Sequence, residues 1–290
     1  MLNFYKIVKE SLHFNRFEFD NTVCLEYSCP LEGEQVGIFS QSDYLVHVLS
    51  GKKTYKTING EWTLESGQTL FMKKGATIIN QYFEDEFCML GFFISDDLIA
   101  ETISELKGKI PFASGDNQDF TATAVQSSSY LEGYFHSMLT YFRGEDHPPN
   151  QIIKLKLKEL LVNIMSSDPV LNAYLKSFIS GDKPSLKSIM EANFCYNLKL
   201  EEFAELTHRS LSSFKRDFQN FYNETPGKWL LQKRIDYAAN LLLSGSQSVS
   251  QIAYESGFED LSHFSRCFKE KTDETPSEFR KINQINHQNL

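Results

Sequence analysis

Residues 20–95 alternate short runs of β-branched and aromatic residues with polar turns. The runs are VCLEYSC, YLVHVLSG, KTYKTI, EWTL, QTLFMK, TIINQYF and FCMLGFFI. Asn59 and Gly60 separate two of them, and Asn-Gly between such runs is typical of a two-residue hairpin. A string of short strands with frequent turns predicts a small antiparallel barrel or sandwich.

The residues that follow show apolar positions at helical spacing. NQIIKLKLKELLVNIMSS carries one such stripe: Ile153, Leu157, Leu160, Leu161 and Ile164. These helices could pack against the strands, or they could form the partner surface of a dimer, and both uses stay open. The polar segment ISGDKP (179–184) indicates a domain boundary, so we expect domains at residues 1–180 and 181–290.

Residues 181–290 contain a repeat. FKRDFQNFYNETP (214–226) aligns without gaps on FSRCFKEKTDETP (264–276). Each copy predicts a short helix, a tight turn, a second helix and a proline that opens the next element, which is the helix-turn-helix arrangement. Between the copies, PGKWLLQKRIDYAANLLLSG (226–245) predicts one longer linker helix, with Pro226 in its first turn and Gly245 beyond its end.

The second helix of each copy has an apolar and a polar side. The apolar stripe is predicted to contain Leu211, Phe214, Phe218 and Phe221 in the first copy, and Phe264 and Phe268 in the second. We expect Ser210 to cap the first of these helices and Gly257 to form the second turn. The polar side carries Ser212, Ser213, Lys215 and Arg216, and then Ser262, His263, Ser265, Arg266 and Lys269. Short polar side chains beside cations suit an approach to a DNA groove.

Composition narrows the function classes. The net charge is -9, of which residues 1–180 carry -8, so the chain is not one that coats nucleic acid indiscriminately. No apolar run is long enough to cross a membrane, and the start MLNFYKIVKE is not a signal peptide, so we expect a cytoplasmic protein. The cysteines are scattered and five in number, which favours free thiols.

Residues 184–281 resemble the DNA-binding domain of AraC/XylS-family transcription regulators. The resemblance rests on SVSQIAYESGFEDLSHFSRCFKEKTDETPSEFR, with its Ile-Ala, Gly-Phe, Phe-Ser-Arg and Phe-Lys pairs and its final Pro, aromatic and Arg. It implies double-stranded DNA as a partner, base contacts from the polar residues named above, RNA polymerase as a second partner, and activation more often than repression.

The strand pattern YLVHVLSGKKTYKTINGEWTLESGQTLFMKKG is similar to the cupin-like regulatory half of such proteins. Together the two resemblances imply an α+β fold of two domains. The first would be an N-terminal antiparallel β-barrel followed by helices, which senses a signal and forms a homodimer. The second would be an all-α domain with two helix-turn-helix motifs joined by the linker helix.

A cupin-type metal enzyme is the rival hypothesis. Catalytic cupins gather two or three histidines and a glutamate around one metal, whereas here His47 stands alone. Leu49 and Ile78 occupy the places where further ligands would fall. We therefore expect no metal site, no cofactor and no catalytic residues.

The signal itself stays open. A small molecule could lie among inward residues of the barrel, for which we choose Tyr44, His47, Tyr55 and Trp62. Lysines 52, 53, 73 and 74 could line one basic mouth that favours an anion, or they could be solvated turn residues. The resemblance also extends to the ExsA-like regulators of secretion systems, which a partner protein controls.

Two details of the DNA-binding half also stay open. Arg266 could contact a base, contact a phosphate or brace the fold against Glu259 or Asp260. For the linker helix, we expect its three cations to form a solvated face or to contact phosphates: Lys228, Lys233 and Arg234.

Overall fold

The computed structural model describes residues 1–11, 14–28, 34–82, 86–107, 109, 120–144, 146–180 and 183–288. The chain divides into two units, Met1–Lys183 and Pro184–Leu290. The domain boundary is predicted between residues 180 and 181, and residues 181–182 lie outside the described residues. Cys29 also lies outside them.

The strands of the first unit form two sheets. Their bounds are β1 (Leu2–Asn3), β2 (Asn15–Phe19), β3 (Thr22–Ser28), β4 (Gln35–Ser40), β5 (Tyr44–Ser50), β6 (Lys52–Thr57), β7 (Gly60–Glu65), β8 (Thr69–Met72), β9 (Gly75–Gln81), β10 (Cys88–Phe93) and β11 (Ala122–Val125). One sheet has the order β1-β4-β9-β6-β7, and the other has the order β11-β8-β5-β10-β3-β2. The paired strands are antiparallel, except that β1 runs parallel to β4.

Most helices of the first unit cover the outer face of the second sheet, whereas the first helix packs against the cluster between the two sheets. They are α1 (Phe4–Glu10), α2 (Asp96–Leu106), α3 (Ser129–Arg143), α4 (Asn150–Ser167) and α5 (Pro169–Lys176), followed by a 3-10 turn (Ser177–Ser180). The predicted stripe of α4 is buried throughout and packs with residues of β5, β8 and β10. Of the two uses considered for α4, packing against the strands or forming a dimer surface, this face serves the first.

The α+β class is confirmed, with one difference in the strand architecture. Apolar faces of the two sheets pack against each other and bury side chains from both, including Ile38, Tyr55, Val46 and Met89. Among the described strands, hydrogen bonds do not continue from the edges of one sheet to the other, so no closed barrel forms. Face-to-face packing buries the apolar side chains without that closure.

The second unit is helical. Its elements are α6 (Leu186–Asn193), α7 (Leu200–Leu206), α8 (Leu211–Tyr222), α9 (Pro226–Ser244), α10 (Val249–Glu255), α11 (Leu261–Thr272) and α12 (Pro276–Gln288). This is the predicted order of two helix-turn-helix motifs, α7–α8 and α10–α11, joined by the long helix α9. We call α8 and α11 the reading helices.

The repeated Glu-Thr-Pro marks the same joint in both motifs. Each reading helix ends at a left-handed residue, Asn223 with φ 55° and Asp273 with φ 64°. Asn and Asp tolerate this conformation better than most residues, and it stops the helix. Two residues after the intervening glutamate, Pro226 and Pro276 begin α9 and α12, where proline loses no helical hydrogen bond.

Helix α9 ties the motifs together. Its length is about 28 Å for its 19 residues. Apolar residues along it are buried, among them Trp229, Leu230, Ile235, Ala238 and Leu242. The last three of these pack in one cluster with residues of α10 and α11, and Trp229 contacts Phe218 of α8.

One residue of the predicted apolar stripe is exposed. Phe214 and Phe218 have no exposed surface, but Phe221 is 62% exposed. It lies in the last turn of α8, where its ring contacts only the ring of Tyr222 at 4.8 Å among the aromatic contacts of the described residues. The prediction was wrong here because the helix ends before a packing partner faces this position.

Candidate nucleic-acid interface

The turn of each motif requires a left-handed residue. His208 takes this place in the first motif with φ 52°, and Gly257 takes it in the second with φ 86°. A Cβ atom on Gly257 would lie 2.8 Å from the carbonyl oxygen of Cys195. The predicted role of Gly257 is therefore confirmed, and the close approach of the backbone adds a second reason for glycine.

Each reading helix begins at a capped N-terminus. The Ser210 hydroxyl accepts a hydrogen bond from the backbone N–H of Ser213 at 3.3 Å, as predicted. In the second motif the carboxylate of Asp260 accepts from the backbone N–H of His263 at 2.6 Å. Such caps satisfy backbone donors that a helix leaves unpaired at its start.

The structure places the predicted DNA-contacting residues opposite the buried side of each reading helix. Most of them are exposed: Ser212, Lys215, Arg216, Ser262, His263, Arg266 and Lys269. Ser213 and Ser265 are half-buried at the flanks of these faces. Each helix thus presents one polar, cation-bearing face while its phenylalanines pack into the unit. This is the arrangement that a helix needs in order to enter a major groove.

The first reading helix also carries a carboxylate that the sequence analysis missed. Asp217 accepts hydrogen bonds from Arg209 Nε at 3.2 Å, from Ser213 Oγ at 3.3 Å and from Arg216 Nη2 at 3.3 Å. Partial desolvation acts to raise the pKa of Asp217, but these hydrogen bonds hold that pKa below its usual range. The signal available in the sequence was an Arg eight residues before an Asp, across the turn.

The corresponding arginine of the second reading helix is differently placed. Arg266 makes no hydrogen bond or ion pair with any described residue. Of the two carboxylates considered as its braces, Glu259 accepts from Asn197 and Asp260 caps α11. The guanidinium of Arg266 is therefore available to a ligand.

The cations of α9 have separate roles. Lys228 is exposed, and Lys233 pairs with Glu191 at 2.9 Å. Arg234 donates to the carbonyl oxygens of Phe194 and Tyr196, both at 2.7 Å. Burial lowers the pKa of Arg234. The expectation of a solvated or phosphate-binding role was wrong for Arg234, because the chain before α7 uses its guanidinium as an internal brace.

The four candidate ligand residues of the first unit do not face one space. Tyr44 and Tyr55 are fully buried between the sheets, and Trp62 packs at the edge of the same cluster. His47 points to the other face of β5, where its ring stacks on Phe135 at 3.7 Å between centroids. Alternate residues of a strand face opposite sides, and this separates residue 44 from residue 47.

The expected basic mouth is also divided. Lysines 52 and 53 follow the C-terminal end of β5, whereas lysines 73 and 74 follow β8, which pairs with the N-terminal end of β5. Lys53 lies over the rings of Tyr27 and Phe87, and Lys74 pairs with Asp96 at 2.8 Å. The two pairs of lysines therefore lie near opposite ends of β5, and the expectation of one mouth was wrong.

His47 has the surroundings of a packed core residue. Its Nδ1 lies 2.9 Å from Thr69 Oγ1, and burial lowers its pKa to about 4. Within the described ranges, no group of three or more His, Cys, Asp or Glu side chains is arranged to hold a metal ion. None of the described helices has the length and apolarity that crossing a membrane requires.

Two family models match the chain. Residues 43–178 match the ExsA N-terminal regulatory domain, and residues 203–282 match a helix-turn-helix domain. The second match spans both reading helices, and the first spans most of the sheet and helix unit.

Curated relatives extend over most of the chain. The HTH-type transcriptional regulator ExsA of Pseudomonas aeruginosa is 25% identical over 236 residues, which cover 81% of this chain and 84% of that protein. The virulence regulon transcriptional activator VirF of Yersinia enterocolitica is 24% identical over 241 residues, covering 82% and 89%. An apo crystal structure of a ToxT variant from Vibrio cholerae superposes with a TM-score of 0.44 at 13% identity, over 89% of this chain and 96% of that one.

A regulatory domain followed by two helix-turn-helix motifs defines a DNA-binding transcription regulator. Both parts of the chain are similar to regulators of the AraC/XylS type, as the resemblance of its repeat implies.

Proposed function

We propose that both reading helices contact base edges in successive major grooves of one DNA site. From α8 the contacts come from Ser212, Ser213, Lys215 and Arg216; from α11 they come from Ser262, His263, Ser265, Arg266 and Lys269. The observation that carries the proposal is the pair of matched helices, each with a capped start, a buried apolar side and an accessible polar face.

The chemistry of the outer faces fits this role. Arginine reads guanine through two parallel hydrogen bonds, and serine hydroxyls adapt to donors or acceptors on a base edge. Lys228, exposed near the start of α9, is suited to a phosphate because a lysine contacts phosphate without distinguishing the base.

The comparison of Arg266→Ala with Lys228→Ala tests the base contacts. Arg266→Ala should weaken binding to the cognate site by about 1–3 kcal/mol and relax the preference at one base pair. Lys228→Ala should weaken all sequences alike and reduce the slope of log K against log salt by about 1. Fluorescence anisotropy at several salt concentrations measures both, and uniform losses for both variants would reduce Arg266 to a phosphate contact.

The protein activates transcription in this proposal, with RNA polymerase as its partner at the promoter. Support comes from the relatives, one of which is a transcriptional activator by name. The chain performs no covalent chemistry in this proposal, and its similarity to transcription regulators supports this.

In this proposal the first unit controls the activity of the DNA-binding unit. We place a homodimer contact on the exposed side of α4, where Ile152 and Leu155 are 37% and 62% exposed.

A partner protein is favoured over a small molecule as the signal, because side chains of both sheets fill the space between them, with Tyr44 stacked on Phe93. A metabolite panel tests this choice, since a ligand that binds the folded state raises the melting temperature. A compound that does so would restore the small-molecule account.

A further inference from the structure

The two reading helices hold their matched arginines differently. The repeat aligns Arg216 with Arg266 and Asp217 with Cys267. Arg216 Nε and Nη2 lie 3.4 and 3.3 Å from Asp217 Oδ1. Cys267 is buried, and Arg266 has no bonding partner in the described part of the chain.

The carboxylate of Asp217 is itself fixed from the turn. Its other oxygen, Oδ2, accepts from Arg209 Nε at 3.2 Å and from Ser213 Oγ at 3.3 Å. The Arg209 side chain is only 14% exposed, and its Nη1 donates to the carbonyl oxygens of Thr207 and Pro184 at 2.7 and 3.2 Å. A series of contacts therefore runs from a packed arginine in the turn to an exposed arginine on the reading face.

The contact with Asp217 leaves other N–H donors of Arg216 available to a base. A guanidinium has five N–H donors, and Asp217 faces the edge formed by Nε and Nη2. The end of the guanidinium, where one N–H of Nη1 and one N–H of Nη2 lie parallel, remains for a ligand. Guanine presents two acceptors, O6 and N7, that match two parallel N–H groups.

Orienting the Arg216 side chain before DNA binds lowers the conformational entropy that binding must cost. An exposed arginine samples many rotamers, and fixing them on binding opposes the contact. A side chain already oriented by a carboxylate loses less freedom when it meets the correct base. The same negative charge disfavours contacts with phosphate, which are insensitive to sequence. Both effects increase discrimination at one base pair.

We propose that Asp217 is a specificity-determining positioning residue, which orients Arg216 toward one guanine and makes the first reading helix more stringent than the second. This inference rests on the proposed base contacts of Arg216. It adds that the two blocks of the DNA site are read with unequal stringency, because α11 carries no equivalent carboxylate.

The test compares the full-length Asp217→Asn variant with the wild type. Binding is measured on the selected site and on all its single-base substitutions. At the base pair read by Arg216, we expect discrimination between guanine and the other bases to fall about tenfold, part of the range that one good bidentate contact contributes. Affinity for unrelated DNA should stay equal or rise, and discrimination at the base pair read by Arg266 should not change.

Two further variants make the outcomes distinct. Arg216→Ala identifies the base pair that Arg216 contacts. Glu201→Gln removes one exposed carboxylate from α7 of the same motif, where it makes no bond with a described residue, so it controls for charge and should bind as the wild type does.

If Arg216→Ala relaxes one base pair and Asp217→Asn leaves it unchanged, the inference is wrong while the base contact stands. If Arg216→Ala alters no base preference, the proposed base contact fails first. A loss spread evenly over both blocks, with a lower melting temperature for Asp217→Asn, would reduce Asp217 to a brace of the fold.

Discussion

Single residues of this protein separate into those that hold the fold and those that face a ligand. Arg234 and Arg266 illustrate the difference, because both were candidates for DNA contact in the sequence. Arg234 is bonded to two backbone carbonyls, whereas Arg266 makes no bond with a described residue. A pattern of residue types cannot distinguish the two, since the distinction depends on which carbonyl groups the fold brings near.

The periodic signals were the reliable ones at this scale. The Phe214 and Phe218 stripe, the Ser210 cap and the Gly257 turn could all be predicted, because local spacing and backbone preference determine them. The role of Asp217 could not, because it depends on the reach of an arginine across the turn.

His47 gives a prediction about acid stability. Its pKa is lowered from 6.5 to about 4 by burial, so the unfolded chain binds a proton in this range that the folded protein does not. The contribution of His47 to the free energy of unfolding is therefore fully present above pH 6.5. It is lost as the pH falls from 6.5 toward 4. The loss should approach about 3 kcal/mol.

Urea unfolding of the wild type and of His47→Gln, from pH 7 to pH 4, measures this contribution. The difference in unfolding free energy between the two proteins should shrink as the pH falls. A difference that stays constant over the whole range would show that His47 titrates normally in the folded state.

Among the elements, the turns are the most constrained part of the DNA-binding unit. The second motif closes at Gly257, where φ is 86° and the backbone of Cys195 lies within contact distance of an added Cβ.

The arrangement of the strands was harder to predict from the sequence. Their existence and alternation were predictable, but the division into two sheets depends on long-range pairing that no local pattern encodes.

Gly257→Ala should destabilise the second unit by about 1–3 kcal/mol, since alanine is strained at this φ and its Cβ meets backbone atoms. Gly227→Ala is the matched control. Gly227 lies in the first turn of α9, an added Cβ would meet nothing within 4 Å, and the change should stabilise by about 0.5–1 kcal/mol. Urea denaturation measures both, and equal effects would contradict the strain argument.

The whole molecule combines a regulatory domain with two DNA-reading motifs in one chain. Its net charge of -9 agrees with a protein that binds selected sites and does not coat DNA, since only the contacting faces need be basic. The doubled motif is therefore the central feature, and it predicts a DNA site with two separate blocks.

A binding selection on genome fragments tests this prediction most directly. The full-length wild type, Arg216→Ala and Arg266→Ala are each incubated with the fragments at near-physiological salt, and the bound DNA is sequenced. The account predicts two conserved blocks about one helical turn apart, near 34 Å. Arg216→Ala should lose sequence preference in one block and Arg266→Ala in the other. A single block affected equally by both variants, or enriched sites that neither variant alters, would contradict the double reader.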